Sequence, residues 1–243
     1  MAKVNRENRL PLYVQLKEVI IEKIDNKEWL PGDAIPTEME LQKIYKVSRI
    51  TVRQALGELV SSGILTRAQG VGTFVASPKL EPIRPDLTGF TQDMNEKGHQ
   101  VSSLILHHTA VKASEKLQRI FHIQPTAEVM KLERIRLVDG LPIGLHRTFL
   151  NTSITPQVEL DKYDFTTDSL YTALAAEGVH LGGAEESVEA SLADDSQASV
   201  LHISTGAPVL LLTRLTKLKD GTPYEYTQMV YRADKYKYTI KLS

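Results

Sequence analysis

Hydrophobic residues near the start of the chain recur at every fourth position, which is the spacing of one buried helix face. They follow Pro11, a residue that favours the first turn of a helix, and they predict a helix that ends near Trp29. The turn-forming segment Leu30-Pro31-Gly32-Asp33 comes next. The repeating apolar positions are Leu12, Leu16, Ile20 and Ile24.

Two further helices are predicted after this turn. Thr37 and Glu40 have the spacing of a capping box, so a short helix is expected from Glu38 to about Tyr45. Ser48 then caps a third helix, and so short a turn between two helices is typical of a helix-turn-helix. The apolar stripe of the third helix has the spacing of a buried face and comprises Val52, Ala55, Leu56, Leu59 and Val60.

The outward face of the third helix carries basic and polar residues at its N-terminal end. Arg49 lies in the first turn, Arg53 lies beside the apolar stripe, and Ile50 points away from it. Arginine can bind a guanine edge, glutamine an adenine edge and isoleucine a thymine methyl group. Two short strands around a glycine-containing tip, 64–67 and 73–75, then predict a wing. Residues 1–75 are therefore predicted to form a winged helix-turn-helix DNA-binding domain.

The distribution of charge bears on this interpretation. The whole chain has a net charge of -1, but the segment from Lys46 to Gly70 holds four basic residues against the single acid Glu58. A local excess of positive charge favours contact with phosphates at short range. Two arginines four residues apart on a helix are nevertheless more often solvated or paired with an acid, and that alternative stays open.

The run IPTEMELQKIYKVSRITVRQALGELVSSGILTRAQGVGTFV resembles the winged-helix domain of the GntR family of bacterial transcription regulators. The resemblance implies that the third helix and the wing contact DNA. In one departure, the second helix opens Thr37-Glu38-Met39, where the family usually has Ser-Glu-Arg with a DNA-contacting arginine. Met39 cannot donate a hydrogen bond, so Arg49 and Arg53 are expected to carry more of the base reading. The matching contact residues are Arg49, Thr51, Arg53, Gln54, Gln69 and Gly70, and the outward Ile50 joins them.

A proline-rich segment separates this domain from the rest of the chain. Pro78, Pro82 and Pro85 fall within eight residues, which neither a helix nor a central strand accommodates. We expect a linker over residues 76–86, a second domain over residues 87–243, and a short helix over residues 87–97 at its start.

The second domain nearly repeats itself. EVMKLERIRLVDGLPIGLHRTFL, from Glu128, and PVLLLTRLTKLKDGTPYEYTQMVY, from Pro208, each predict two strands joined by an Asp-Gly turn. The alignment places Arg134 at the position of Arg214. An α+β domain of antiparallel strands, built from two similar halves, is predicted. A helix and a strand precede each hairpin, with the helices expected at 114–121 and 194–201 and the strands at 101–111 and 187–192.

Two arginines in the first of these hairpins form a candidate anion site. Side chains alternate along a strand, so Arg134 and Arg136 share a face. Two guanidinium groups on one face, with a helix N-terminus nearby, are suited to an anion. The alternative is that each arginine pairs with an acid of its own domain.

Residues 87–243 also resemble the effector-binding (UTRA) domain of the HutC-type branch of the GntR family, which shares a fold with chorismate lyase. The resemblance lies in FTQDMNEKG, KLERIRLVDGLP, DSLYTAL and DGTPYEYTQMVYRADKYKY. In members that bind amino-sugar phosphates, it implies a phosphate subsite and a sugar-reading end. His146 stands where the family commonly has a second glutamate, and it can donate, accept or become charged near neutral pH. The implied phosphate ligands are Phe90, Thr91, Arg134, Arg136, Ser169 and Tyr171, and the sugar-reading residues are Glu225 and Tyr231.

These features predict a repressor of a sugar or amino-sugar utilisation operon that a phosphorylated sugar releases from its operator. Because one winged helix reads few base pairs, a homodimer on palindromic double-stranded DNA is expected. A ligand-dependent activator, or a chorismate lyase-like enzyme tethered to DNA, are the alternatives. The seven histidines lack metal-ligand spacing and no nucleophile-base pair is recognisable, so neither catalysis nor a cofactor is expected.

The expected compartment is the cytoplasm. The chain contains no cysteine, which fits a reducing environment. No apolar run approaches the roughly 20 residues that span a bilayer, so no membrane partner is expected.

Overall fold

The computed structural model describes residues 4–5, 7–68, 70–81 and 89–240. These residues divide into two compact units between Pro78 and Lys79. No helix in the described ranges is long and apolar enough to cross a membrane.

The first unit contains the three predicted helices, α1 (Leu12–Asp25), α2 (Glu38–Tyr45) and α3 (Arg49–Ser61). The capping box of Thr37 is present at the start of α2, as predicted. Helix α1 ends before the expected position near Trp29, because Lys27 adopts a left-handed conformation with φ of 59°. A helix cannot continue through such a residue.

The wing of the first unit is a two-stranded antiparallel sheet. Strands β1 (Leu65–Ala68) and β2 (Gly72–Val75) pair with Leu65 opposite Val75. The Ile35 amide donates a hydrogen bond to the Thr73 carbonyl at 2.9 Å, which ties the segment before α2 to the wing. The wing is therefore held against the helices by backbone hydrogen bonds as well as by the core.

The core of the first unit is formed by the apolar faces that the spacing predicted. Val60, in contrast, is only partly buried at the end of the stripe. Burial of side chains from all three helices and both strands makes this unit a single packed body. The fully buried core residues include Leu16, Ile20, Leu41, Val52, Ala55, Leu56, Leu59 and Leu65.

The second unit is built on one six-stranded antiparallel sheet with the strand order β3-β4-β5-β8-β7-β6. Its strands are β3 (Val101–Lys112), β4 (Glu128–Val138), β5 (Leu141–Leu150), β6 (Leu181–Leu192), β7 (Pro208–Leu218) and β8 (Pro223–Arg232). Its α-helices are α4 (Phe90–Glu96), α5 (Glu115–Phe121), α6 (Leu170–Ala176) and α7 (Asp195–Leu201). Two short 3-10 helices, Thr152–Ile154 and Leu160–Lys162, lie between β5 and α6. The predicted α+β class is confirmed.

The predicted repeat appears as two halves, β3-α5-β4-β5 and β6-α7-β7-β8, joined in the centre of the sheet by the pairing of β5 with β8. Strand β6 begins at Leu181, earlier than the predicted Ser187. The sequence Gly182-Gly183 resembles a loop, but an irregularity in the pairing between Leu181 and Gly183 lets the strand continue alongside β7.

The segment between the two units lies partly outside the described residues. Residues 82–88 are not described, so the predicted start of the short helix cannot be placed, and α4 is seen from Phe90. Within the predicted linker, Leu80 forms a parallel bridge with Tyr236. That part of the segment therefore packs on the second unit.

We predict that Leu56→Ala destabilises the first unit by about 2 to 5 kcal/mol, because it removes a buried side chain and leaves a cavity. Urea unfolding followed by fluorescence would measure the loss, since the single tryptophan of the chain, Trp29, packs against this core. The exposed Ile50→Ala is the matched control, with an expected change within about 0.5 kcal/mol. Equal losses in the two variants would contradict the assignment of the core.

Candidate functional sites

The floor of a cavity in the second unit is formed by neighbouring rows of residues across the sheet. In one row Arg136 lies opposite Gly144, which lies opposite Tyr231. In the next row Arg134 lies opposite His146. The register of the strands therefore places both arginines and His146 on the same face, as the alternation predicted for the arginines. The third row runs through Thr148, Thr227, Arg214 and Glu186.

The N-terminal ends of α4 and α6 border this floor and enclose a cavity of about 340 Å³. All nine residues that the resemblance assigned to effector binding line this one cavity. The structure thus brings together residues from three strands and from the N-terminal ends of two helices, while their role in ligand binding stays a prediction. The nine are Phe90, Thr91, Arg134, Arg136, His146, Ser169, Tyr171, Glu225 and Tyr231.

Arg136 is almost fully buried and is held by α4. Its Nη2 donates a hydrogen bond to Thr91 Oγ1 at 2.5 Å, and its guanidinium group lies 4.9 Å from the centre of the Phe90 ring. Its Nε has no hydrogen-bond partner among the described residues. Burial lowers the pKa of Arg136 to about 10, so the group is still charged at neutral pH.

Arg134 is also buried and weakly held. Its Nη1 lies 3.5 Å from the carbonyl oxygens of Phe165 and Asp168. Burial lowers the pKa of Arg134, the Arg136 charge lowers it further, and Glu225 opposes this shift. Neither arginine forms an ion pair within the described ranges, so the alternative of a salt bridge to an acid is not what the structure shows. Two buried cations without a bound acid form a strong local attraction for an anion.

His146 is fully enclosed between aromatic rings. Its ring lies 5.3 Å from that of Phe90 and 5.2 Å from that of Tyr231, edge to face in both cases. Burial and the charges of Arg136, Arg134 and Arg214 hold the pKa of His146 well below its ordinary value. Of the three possibilities that the sequence left open, the charged form is therefore disfavoured at neutral pH. The Nε2 atom, which has no hydrogen-bond partner among the described residues, belongs to a neutral ring.

Glu225 is held by a network of hydroxyl groups. Oε2 accepts hydrogen bonds from Tyr171 and Thr216, both at 2.7 Å, and Oε1 accepts one from Thr227 at 2.9 Å. The Thr227 hydroxyl is also within 2.9 Å of that of Thr148. The carboxylate is thus fixed in position at the cavity wall by strands β7 and β8 and helix α6.

Sequence reasoning missed a third arginine and its partner. Arg214 lies opposite Glu186 in the sheet, and its Nε donates to Glu186 Oε2 at 2.6 Å. Although burial opposes the charged form, Tyr171 and Glu186 raise the pKa of Arg214. The signal was available, because the internal repeat aligns Arg214 with Arg134. In the first half, the residue opposite Arg134 is Ile105, so that arginine has no equivalent acid.

Gly144 was also missed, although it shapes the floor. A Cβ atom at this position would lie 2.7 Å from Cδ1 of Tyr231, which is too close for two carbon atoms. The absence of a side chain on β5 therefore gives the Tyr231 ring its place beside Arg136. A single glycine within a strand is the only sequence signal for this close approach.

The second candidate site is the outward face of α3 in the first unit. Arg49 and Arg53 are 71% and 63% exposed, and each lies near the carboxylate of Glu38, at 3.5 and 4.0 Å. Arg67 of the wing lies 3.5 Å from the same carboxylate. The alternative of pairing with an acid is therefore realised in part, through long contacts that leave the guanidinium groups open to solvent.

The remaining predicted DNA-contact residues have different surroundings. Ile50 is 79% exposed, as its outward position predicted. Thr51 lies within 2.8 Å of the Ser48 hydroxyl, so its side chain belongs to the cap of α3. Gln54 Nε2 is 3.5 Å from Glu58 Oε1. Gly70 has a left-handed φ of 76° at the wing tip, while Gln69 lies outside the described residues.

Met39, which replaces the usual family arginine, is 62% exposed at the start of α2. An apolar side chain at this position has no core to join. Ile50 on α3 and Val71 on the wing, which is 75% exposed, are further exposed apolar side chains of this unit. Such side chains are suited to thymine methyl groups in a major groove.

The first unit is a helix-turn-helix with an exposed basic face, and the second holds a cavity with two buried arginines that have no ion-pair partner among the described residues. Together these features are those of a ligand-responsive DNA-binding protein. Comparison with known protein families supports this class of protein. The UTRA domain matches residues 96–237, and the gntR family of bacterial regulatory proteins matches residues 12–75. The chain therefore belongs to the GntR family and carries a UTRA domain. This membership confirms the predicted regulator, as opposed to a DNA-tethered enzyme.

Individual relatives align over nearly the whole of this chain. The transcriptional repressor NagR of Bacillus subtilis is 33% identical over 96% of this chain and 95% of its own. The mannosyl-D-glycerate transport/metabolism system repressor MngR of Escherichia coli is 30% identical, over 95% of both. The crystal structure of PhnF from Mycobacterium smegmatis aligns with a TM-score of 0.66 and 26% identity, over 94% of this chain and 99% of that one.

The neutral state of His146 gives a pH prediction. In the unfolded chain a histidine binds a proton as the pH falls below about 6.5, whereas buried His146 stays neutral, so acid favours unfolding. Below this pH the wild type should lose up to about 1.4 kcal/mol of stability per pH unit through this residue. Urea unfolding at a series of pH values, followed by circular dichroism, measures how the free energy of unfolding changes with pH. This change per pH unit should be smaller for His146→Asn than for the wild type. The exposed His180→Asn should keep the wild-type slope, and equal slopes in all three proteins would refute the burial argument.

Proposed function

We propose that this protein represses a sugar or amino-sugar utilisation operon and that a phosphorylated sugar, bound in the second unit, releases it from the operator. The observation that carries the proposal is the pair of buried arginines, Arg134 and Arg136, that face one cavity and have no ion-pair partner in the part of the chain that the structure describes. A phosphate group would supply the missing negative charge and accept hydrogen bonds from both guanidinium groups.

The rest of the cavity suits the sugar end of such a ligand. The Glu225 carboxylate, the neutral His146 ring and several tyrosine and threonine hydroxyls offer donors and acceptors around a volume of about 340 Å³. Sugars are recognised by hydroxyl hydrogen bonds of this kind together with aromatic surfaces. The repressor of mannosyl-D-glycerate metabolism among the relatives supports a sugar-type ligand for this chain.

We further propose that the protein acts in the cytoplasm as a homodimer on a palindromic operator. One α3 helix with one wing reaches only a few base pairs, and a second copy related by a two-fold axis doubles the number read. Ligand binding then releases the operator by favouring a conformation of the protein that has a lower affinity for DNA. A coupling of about 1 to 3 kcal/mol is typical for such regulation.

Arg53→Ala should abolish specific DNA binding and leave ligand binding intact, because the residue lies on the exposed face of α3, outside the cavity. A duplex selected by the wild-type protein from a random-sequence pool serves as the operator, with fluorescence anisotropy as the measurement. Arg119→Ala is the matched control, since it removes the same charge from an exposed position on α5. Unchanged binding by Arg53→Ala would refute the proposed interface.

Arg134→Ala should keep operator binding and lose ligand response, because it removes one of the two uncompensated cations. Thermal-shift measurements with glucose and glucosamine phosphates, the free sugars and inorganic sulfate would identify the ligand class. A ligand at 100 times its Kd stabilises the folded protein by about 2.7 kcal/mol. The stabilisation should be absent in Arg134→Ala and present in Arg119→Ala. Equal stabilisation by a phosphorylated and a free sugar would contradict the phosphate assignment.

A further inference from the structure

Three arginines from two separate elements meet a single carboxylate on the exposed face of the first unit. Arg49 and Arg53 belong to α3 and Arg67 belongs to the wing, whereas Glu38 is the first residue of α2. Oε2 of Glu38 lies 3.5 Å from Nε of Arg49, and Oε1 lies 4.0 Å from Nε of Arg53 and 3.5 Å from Nη2 of Arg67. Glu38 is thus the common neighbour of α3 and the wing.

This cluster does little for the stability of the fold. The arginine side chains are 71%, 63% and 45% exposed, and Glu38 is 28% exposed. Exposed ion pairs at such distances contribute little to the stability of a fold. One acid against three bases also leaves an excess of positive charge at the surface, so the cluster is not a neutral network.

The geometry leaves the arginines able to bind a further partner. Nε is the guanidinium nitrogen nearest to Glu38 in both Arg49 and Arg53, so their two terminal nitrogens stay available beyond the carboxylate. These terminal nitrogens form the fork that binds the two acceptors of a guanine edge. A long, exposed arginine side chain loses rotamer freedom when it binds, and a carboxylate that already restrains it lowers this cost.

We propose that Glu38 is a positioning residue for DNA recognition: its carboxylate restrains Arg49, Arg53 and the wing residue Arg67 as one reading unit and thereby raises the preference for the operator over other DNA. Arg67 becomes a further DNA-contacting residue, which the sequence analysis did not assign. The inference rests on the proposed DNA interface of α3.

The negative charge of Glu38 has opposite effects on the two kinds of binding. It weakens attraction to any phosphate backbone, because it reduces the local positive charge. It strengthens binding to the correct bases, because it holds the arginines in the geometry that those bases require. Removing the charge should therefore strengthen binding to unrelated DNA and weaken binding to the operator.

The test compares Glu38→Gln with Glu18→Gln in the chain of 243 residues. Glu18 lies on α1, is exposed and forms no ion pair within the described ranges, so its variant makes the same change in net charge without touching the cluster. Affinities are measured by fluorescence anisotropy on a duplex selected by the wild type and on a shuffled duplex of the same composition. Thermal unfolding of each variant shows whether the first unit is intact.

Glu38→Gln should lower the ratio of the two affinities by about tenfold, within the range that one well-placed arginine contact provides. Glu18→Gln should raise both affinities slightly and equally, which leaves the ratio unchanged. An unchanged ratio in a folded Glu38→Gln variant would overturn the inference. If Arg53→Ala also bound the selected duplex normally, the proposed interface itself would fail, whereas loss of binding by Arg53→Ala would confine the failure to Glu38.

A double-mutant cycle separates positioning from direct contact between Glu38 and a base. If Glu38 acts through the arginines, Glu38→Gln and Arg67→Ala disturb the same cluster. The double variant should then lose clearly less affinity for the selected duplex than the product of the two single fold-losses. A direct hydrogen bond from a cytosine amine to Glu38 would instead give multiplicative losses, and that outcome overturns the positioning role. Arg67→Ala should also make the affinity for DNA fall less steeply with salt concentration, by the amount expected for the loss of one phosphate contact. An unchanged dependence on salt would show that Arg67 does not belong to the interface.

Discussion

The pairing of β5 with β8 is the constraint on which the second unit depends. Each half of the repeat supplies three strands, and this one pairing turns them into a continuous sheet. The same register fixes which side chains share a row, so it places Arg136, Gly144 and Tyr231 side by side. A shift by one residue would send every one of these side chains to the opposite face. The cavity is therefore a property of the strand register and not of any single loop.

The cavity contains two buried arginines, and the burial of their charges is energetically unfavourable. Moving a charge out of water costs several kcal/mol even after the surroundings relax, and an acid partner normally offsets this. Arg214 has such a partner in Glu186, but Arg134 and Arg136 have none among the described residues. The fold tolerates the cost through the packing of the sheet and of α4 and α6 around the cavity. Regions that serve function rather than stability commonly carry unfavourable features of this kind.

The sequence predicted most of the architecture because hydrophobic spacing, capping residues and turn residues are local signals. The capping box at Thr37, the stripe through Leu56 and the Asp-Gly turns each lie within a few residues. The meeting of Arg49, Arg53 and Arg67 at Glu38 was not predictable in this way, because it depends on how α2, α3 and the wing pack together. The same reason hid Gly144, whose role depends on a ring that lies on another strand.

The residues that line the cavity could be predicted from the sequence more fully than their chemical states. Resemblance identified nine residues that line one cavity, yet it left the state of His146 open, since burial and nearby arginines set that state. The internal repeat aligns Arg134 with Arg214, but this alignment does not show which of the two arginines has an acidic partner. Equivalent arginines occur in both halves, and only the cross-strand neighbour distinguishes them.

The residue opposite each of these two arginines affects how a ligand can be oriented in the cavity. Opposite Arg134 lies the apolar Ile105, and opposite the equivalent Arg214 lies Glu186. The two halves share a backbone, but one presents free positive charge and the other presents a neutralised pair. The cavity thus has an electrical polarity that its near-symmetric fold does not have. A molecule with one anionic end would therefore place that end at Arg134 and Arg136, so a scaffold of two similar halves can distinguish the two ends of a ligand.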